Sequence, residues 1–264
     1  MLRKLVKYDL KANYLYLIVG YVVYILLTIG FVVCFRGMDR SVDVSPLVGR
    51  NQLIAVTFTA FLWVASIISV VLMTYILLIR RFYCHMVTDQ GYLTLTLPVS
   101  AQAHMLSKLI SAMIFILSTV CVLVAGIVMV GASFGKEIFV VDFLRIAGDV
   151  FQQVGAEFSI LACVLGLLGL IQTILLVYFS ICVGQLCAKN KVWGSIGTYL
   201  GIRFVINLLA NIVASVSGVM GNGGLLLLFA ENTYGILYAV FLLILCLVYF
   251  FVGSWLLEKR VNLE

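Results

Sequence analysis

YLYLIVGYVVYILLTIGFVVCF, residues 14–35, contains no charged side chain. As a helix rising 1.5 Å per residue it reaches about 33 Å, enough to cross a hydrocarbon core about 30 Å thick. It is apolar on every face, so its surroundings must be lipid rather than water on one side. Arg3, Lys4, Lys7 and Lys11 precede it, as basic residues precede a secretory signal. The run is too long for a signal's apolar region, and no small-x-small cleavage site follows. It is expected to be a retained first span.

Working outward, the whole chain has this character. Of its 264 residues, 64% are hydrophobic and 11% charged, and the mean hydropathy is +1.20. A soluble domain carries about 25% charged residues. Five further segments can span: 53–79, 109–133, 158–184, 193–219 and 234–257. The expected fold is therefore an all-α integral membrane protein with six transmembrane helices. No linker is long enough to set off a second domain, so residues 1–264 read as one transmembrane domain. The seven cysteines are scattered without CxxC or ligand spacing, which makes neither a disulfide framework nor a zinc site.

Six spans put both termini on one side, and the charges choose the side. Residues 1–12, 80–108, 185–192 and the C-terminus carry Arg3, Lys4, Lys7, Lys11, Arg80, Arg81, Lys108, Lys189, Lys191, Lys259 and Arg260. The opposite side carries only Arg36, Arg40, Arg50, Lys136 and Arg145, but most of the acids. The positive-inside rule predicts cytoplasmic N- and C-termini. The net charge of +6 is thus mostly a topology signal and does not call for nucleic acid.

Two polar segments have helical period without spanning. In MLRKLVKYDLKA (1–12), Leu2, Leu5, Val6 and Leu10 oppose the lysines and arginine, which predicts a helix lying in the inner interface near anionic headgroups. In residues 137–155, Asp142, Arg145, Asp149 and Gln152 recur every three or four positions opposite an apolar face, which predicts an amphipathic helix on the outer surface.

Catalytic chemistry is thin. Gly131 to Glu137 has one residue too few between its glycines for a nucleotide-binding loop and lacks the Ser/Thr that would ligand magnesium. The two histidines, His85 and His104, lie near the inner side, and Cys84 beside His85 points elsewhere on a helix. No acidic chain threads the spans, which argues against an ion-coupled pump. No metal and no cofactor are implied, and the chain is not expected to be an enzyme.

One charge stands inside a span. Arg203 lies about ten residues into the fifth, with Tyr199 at i−4 and Asn207 and Asn211 at i+4 and i+8. This polar stripe can wall a substrate path or line a subunit seam; alternatively the arginine snorkels to an interface. Gly197 and Gly201, four apart, permit close helix contact nearby.

Between the second and third spans the chain does not turn back at once. The helical pattern runs from Arg50 to about Thr88, past the headgroup level at Arg80 and Arg81. Asp89-Gln90-Gly91 then ends a helix, and Ser100 can cap the next one after Pro98. The result is a compact element on the inner side, placed to receive a push from a cytoplasmic protein.

The residues of this element, Phe82-Tyr83, Thr88-Asp89-Gln90-Gly91-Tyr92-Leu93-Thr94-Leu95-Thr96-Leu97-Pro98-Val99-Ser100 and Leu106-Ser107-Lys108, resemble a stretch in ABC-2-type permease subunits of Gram-positive bacteria. Those read TDEGYLT-TLPVS, then a short helix and a Ser-Lys entering the third span; Gln90 stands here in place of Glu. The resemblance implies the membrane half of an ATP-binding cassette exporter in the bacterial cytoplasmic membrane. A separate cytoplasmic ATPase would supply energy and seat a coupling helix within 82–107. Asp89, Tyr92, Leu93, Leu95, Leu97 and Pro98 would lie at that contact. The permease would pair with itself or with a second permease. Tyr199, Arg203, Asn207 and Asn211 are the candidates for the path or seam. The alternative is a non-transporting immunity or sensor subunit that keeps the same ATPase partner.

Overall fold

The computed structural model describes residues 2–39, 46–86, 101–133, 156–186, 191–216 and 232–259. Among these residues the regular structure is wholly helical: α1 Leu2–Asp39, α2 Pro46–Met86, α3 Ala101–Ser133, α4 Ala156–Gly184, α5 Lys191–Val216 and α6 Asn232–Lys259. Each contains a stretch long and apolar enough to cross a membrane: Asn13–Gly37, Leu53–Cys84, Gln102–Ser133, Ile160–Gly184, Lys191–Leu209 and Gly235–Glu258. The chain is a multi-pass membrane protein.

The helix ends follow local chemistry. α2 opens on Pro46, whose missing N–H is no loss in a first turn. It runs on to Met86, beyond the expected span 53–79. α3 starts at Ala101, one residue after the expected cap Ser100. The leader differs from expectation. The charge pattern of residues 1–12 predicts a separate interfacial helix, whereas α1 is one continuous helix through leader and span. Leu10-Lys11-Ala12-Asn13-Tyr14 holds neither glycine nor proline, so nothing there breaks the hydrogen-bond ladder. The expected outer helix 137–155 lies outside the described residues.

The chain divides into two compact units. One comprises Met1–Val6, Ile79–Met113 and Phe151–Glu264; the other Lys7–Leu78 and Ile114–Val150. The second unit joins stretches of α1, α2 and α3. In lipid, helices gain little from burying apolar faces, so packing and hydrogen bonds must hold them together. Hydroxyls supply these bonds. Tyr21 Oη lies 2.9 Å from Ser118 Oγ and 2.8 Å from Thr119 Oγ1, and Thr119 Oγ1 lies 3.1 Å from Thr74 Oγ1. Trp63 Nε1 donates to Thr28 Oγ1 at 3.1 Å while its ring stacks on Phe31. Tyr24 donates to the Leu123 carbonyl at 3.2 Å, passing where a side chain on Gly126 would stand.

Thr119 is the node, shared by all three helices. Thr119→Val keeps its shape and removes its hydroxyl. Interhelical hydrogen bonds in membranes average about 0.6 kcal/mol each. Loss of two is expected to lower stability by about 1 kcal/mol, read as a lower unfolding midpoint in detergent, with Thr119→Ser close to wild type.

In the first unit α4 is the middle helix, packing against both α5 and α6. Phe179 stacks on Tyr249 of α6 at 5.3 Å, and Gly184 abuts Ser195 of α5. Gly184 meets Ser195 and, further back along α4, Thr173 meets Arg203 further along α5, so the two helices run antiparallel. Their register is fixed at two levels, Gly184 against Ser195 and Thr173 against Arg203.

Candidate functional site

Two places in the first unit concentrate polar or aromatic side chains. The first is the base from which the 87–100 connection leaves. Phe82 near the end of α2 is fully buried, and its ring stacks on Tyr178 of α4 with centroids 4.0 Å apart and planes 8° apart. Tyr178 in turn donates to the Lys108 carbonyl of α3 at 3.4 Å. Met86 and Met105, on either side of the connection, are buried too, and Gly253 of α6 brings its backbone against the Met105 side chain. The polar residues of this base are buried with the rest. Arg81 and Lys108 are each 8% exposed, and each is engaged by a partner, as is His104. Ser107 donates to the His104 carbonyl and Ser111 to the Ser107 carbonyl, which turns their hydroxyls inward without leaving protons unbonded.

The helix ends flanking the connection are therefore not frayed into lipid or water. They are clamped to α4 and α6 by an aromatic stack, a hydrogen bond and close packing. Asp89, Tyr92, Leu93, Leu95, Leu97 and Pro98 themselves lie outside the described residues. What is described is the platform that carries them.

The second place surrounds Arg203. Its Nη2 donates to Thr173 Oγ1 of α4 at 3.2 Å. Thr173 lies 11 residues from the end of α4 at Gly184 and 13 from Ile160, roughly 16 and 20 Å by helical rise. The guanidinium is thus turned on to the middle of a neighbouring helix, not drawn out along α5 to a headgroup. Tyr249 of α6 lies within electrostatic reach of Arg203 and within hydrogen-bonding reach of Gln172. Gln172 and Tyr249 are buried, and Arg203, Thr173 and Tyr199 are half-buried. Asn207 and Asn211, the other members of the expected stripe, are exposed.

An arginine at the centre of a spanning helix costs about 2.5–3.5 kcal/mol on insertion scales. A hydrogen bond to a charged group returns about 1.5–3 kcal/mol where the group is otherwise desolvated. The Thr173 contact offsets much of the cost and fixes where the guanidinium points. It does not neutralise the charge.

Comparison with protein-family models, curated proteins and solved structures finds no match. The chemistry must be read from the two places themselves. Among the described residues no three His, Cys, Asp or Glu side chains come together as metal ligands. One place is a closely packed base of the 87–100 connection; the other is a half-buried cation held against a neighbouring helix. Sequence reasoning singled out Arg203 but not Gln172, Thr173 or Tyr249. Gln172-Thr173 is the signal it passed over: an amide and a hydroxyl within an otherwise apolar run from Ile160 to Phe179.

α5 carries a further feature. None of the window Lys191–Leu209 is buried, against 22–28% of each other span. Trp193 and Phe204 are 72% and 68% exposed. Exposed apolar residues face lipid without cost. Exposed Asn207 and Asn211 do not, since an amide in hydrocarbon lacks partners.

Proposed function

We propose that the chain is the permease subunit of an ABC-2-type ATP-binding cassette exporter, resident in a bacterial cytoplasmic membrane with both termini in the cytoplasm. It forms part of the translocation path and contains no ATPase of its own. A separate cytoplasmic ATPase engages the connection between α2 and α3 through Asp89, Tyr92, Leu93, Leu95, Leu97 and Pro98. The observation that supports this reading best is the buried base of that connection. A segment that receives a push transmits it only if its roots are stiff, and Phe82, Met86, Met105 and Tyr178 root it in packed helices. The exposed amides of α5 are satisfied in this scheme by a second permease, either another copy or a different chain. ATP-driven closure of the ATPases then biases the pair between inward- and outward-open states.

Capture of the tagged full chain from native membranes in mild detergent tests the assignment. A cytoplasmic ABC ATPase is expected to follow it, and to be lost when residues 88–100 are scrambled. In the purified complex, changing Tyr92 and Leu93 to alanine is expected to lower stimulated ATPase activity and transport severalfold while membrane insertion stays as in wild type. Recovery of the chain alone would overturn the assignment, and a captured ATPase whose activity no substrate stimulates would move it to the non-transporting immunity or sensor subunit.

A further inference from the structure

Among the described residues the polar centre around Arg203 is incompletely satisfied. Within the spans Ile160–Gly184, Lys191–Leu209 and Gly235–Glu258, the only other charges are Lys191 and Glu258 at their ends. A guanidinium has five N–H donors in a planar fork and remains protonated in proteins. Among the described residues one hydrogen bond engages that fork, to Thr173. Thr173 gives its own proton to the Gly169 carbonyl at 2.9 Å, so it offers Arg203 only a neutral acceptor. Tyr249 and Gln172 add dipoles, not a countercharge. Among the described residues Arg203 forms no ion pair, yet it is half-buried at the centre of a spanning helix.

The surroundings leave room. From the Thr173–Arg203 level, four and eight residues along α5 lead to Asn207 and Asn211. The antiparallel register puts Gly169 and Gly166 of α4 at about the same levels, four and seven residues from Thr173. Among the described residues, a Cβ placed on either glycine would meet nothing within 4 Å. The same holds for Gly197 and Gly201 of α5. Bare backbone therefore borders open space on the apolar side of the cation, with amides beside it. That combination suits a molecule with an anionic head and a hydrocarbon body. A planar fork prefers oxyanions with paired acceptor oxygens, carboxylate or phosphate. A neutral head can accept hydrogen bonds but brings no countercharge, and a cationic head is repelled.

We infer that Arg203, held by Thr173, binds the carboxylate or phosphate head of an amphiphile whose hydrocarbon chain lies along the open glycine side of α4. The meaning of this site as a cargo site rests on the permease reading; the binding does not.

The test uses the full chain in phosphatidylcholine nanodiscs, without any ATPase, so its outcome is independent of the coupling experiment above. The probes are a diazirine-bearing long-chain fatty acid and the alcohol of the same chain. Photolabelled peptides are mapped by mass spectrometry. The acid is expected to label α4 and α5 around Gly166, Gly169 and Asn207, at about a tenth of the concentration needed by the alcohol, the discrimination given by one charge-assisted hydrogen bond. Arg203→Gln is expected to abolish that discrimination, and Arg203→Lys, which keeps the charge but not the fork, to retain part of it. Unfolding midpoints report whether the variants are folded, and the comparison of acid with alcohol on the wild-type chain needs no variant. Competition by phosphatidylglycerol at stoichiometric amounts would identify the ligand as a membrane phospholipid; no competition would identify it as a free amphiphile, and either supports the site. Equal labelling by acid and alcohol, or discrimination unchanged in folded Arg203→Gln, would overturn it.

Discussion

Gly184→Val is expected to lower the unfolding midpoint by several degrees and to loosen α5 from α4. A Cβ at position 184 would stand 2.5 Å from the Ser195 backbone nitrogen and 2.7 Å from its Cα, besides striking its hydroxyl. Overpacking a tight contact costs about 1–3 kcal/mol and occasionally more. The upper end applies here because the atoms in the way are backbone, which cannot rotate aside. Gly126 makes the contrast. There the obstructing atoms belong to the Tyr24 side chain, which a larger residue could displace by breaking one hydrogen bond. At Gly184 the helices themselves must separate. Ser195→Gly is therefore expected not to rescue Gly184→Val, since it removes the hydroxyl and leaves the nitrogen and Cα in place. A full rescue would mean that the hydroxyl alone sets the spacing. Because the same helix pair brings Arg203 to Thr173, Gly184→Val is also expected to weaken discrimination between the acid and alcohol probes.

The spans were legible because lipid leaves the chain few choices. A helix in hydrocarbon must bond every backbone group internally and must be long enough to cross, so apolar runs convert directly into helices. The fifth span, expected at 193–219, is α5 at Lys191–Val216; the sixth, expected at 234–257, is α6 at Asn232–Lys259. Which helix touches which was not legible. Residues facing lipid and residues facing a neighbouring helix are equally apolar, so hydropathy carries no record of pairing. Arg203 could be found because a lone charge in a span is conspicuous. Thr173 and Tyr249, which surround it, come from helices that nothing in the sequence ties to α5. The stack of Phe82 on Tyr178 was hidden for the same reason, across nearly a hundred residues of chain. The continuity of the leader with the first span was not legible, because a charge pattern reports a preferred environment and one helix can pass between environments.

Phe82→Ala is expected to have the largest effect on coupling. The side chain is fully buried, and its ring lies almost parallel to Tyr178. Truncating a buried phenylalanine costs about 3–5 kcal/mol, part in lost contacts and part in the cavity left behind. At this position the cavity opens four residues before the end of α2, under the connection that the ATPase is proposed to engage. The stack is the described link from α2 to α4, and Tyr178 carries it on to the Lys108 carbonyl of α3. Removing the ring should free the connection from both neighbours at once. Two readouts separate its roles. The unfolding midpoint reports the lost packing, and stimulated ATPase activity per folded complex reports transmission. Both are expected to fall in Phe82→Ala. Phe82→Leu fills most of the space and should recover the midpoint more than the activity, because a branched alkyl group packs without fixing a plane. Tyr178→Phe keeps the stack and removes the long hydrogen bond to the Lys108 carbonyl, a loss of about 0.5–1 kcal/mol, and should leave activity near wild type. If the midpoint falls in Phe82→Ala while activity per folded complex is unchanged, the base stabilises the fold without transmitting force, and the push from the ATPase must enter by another route.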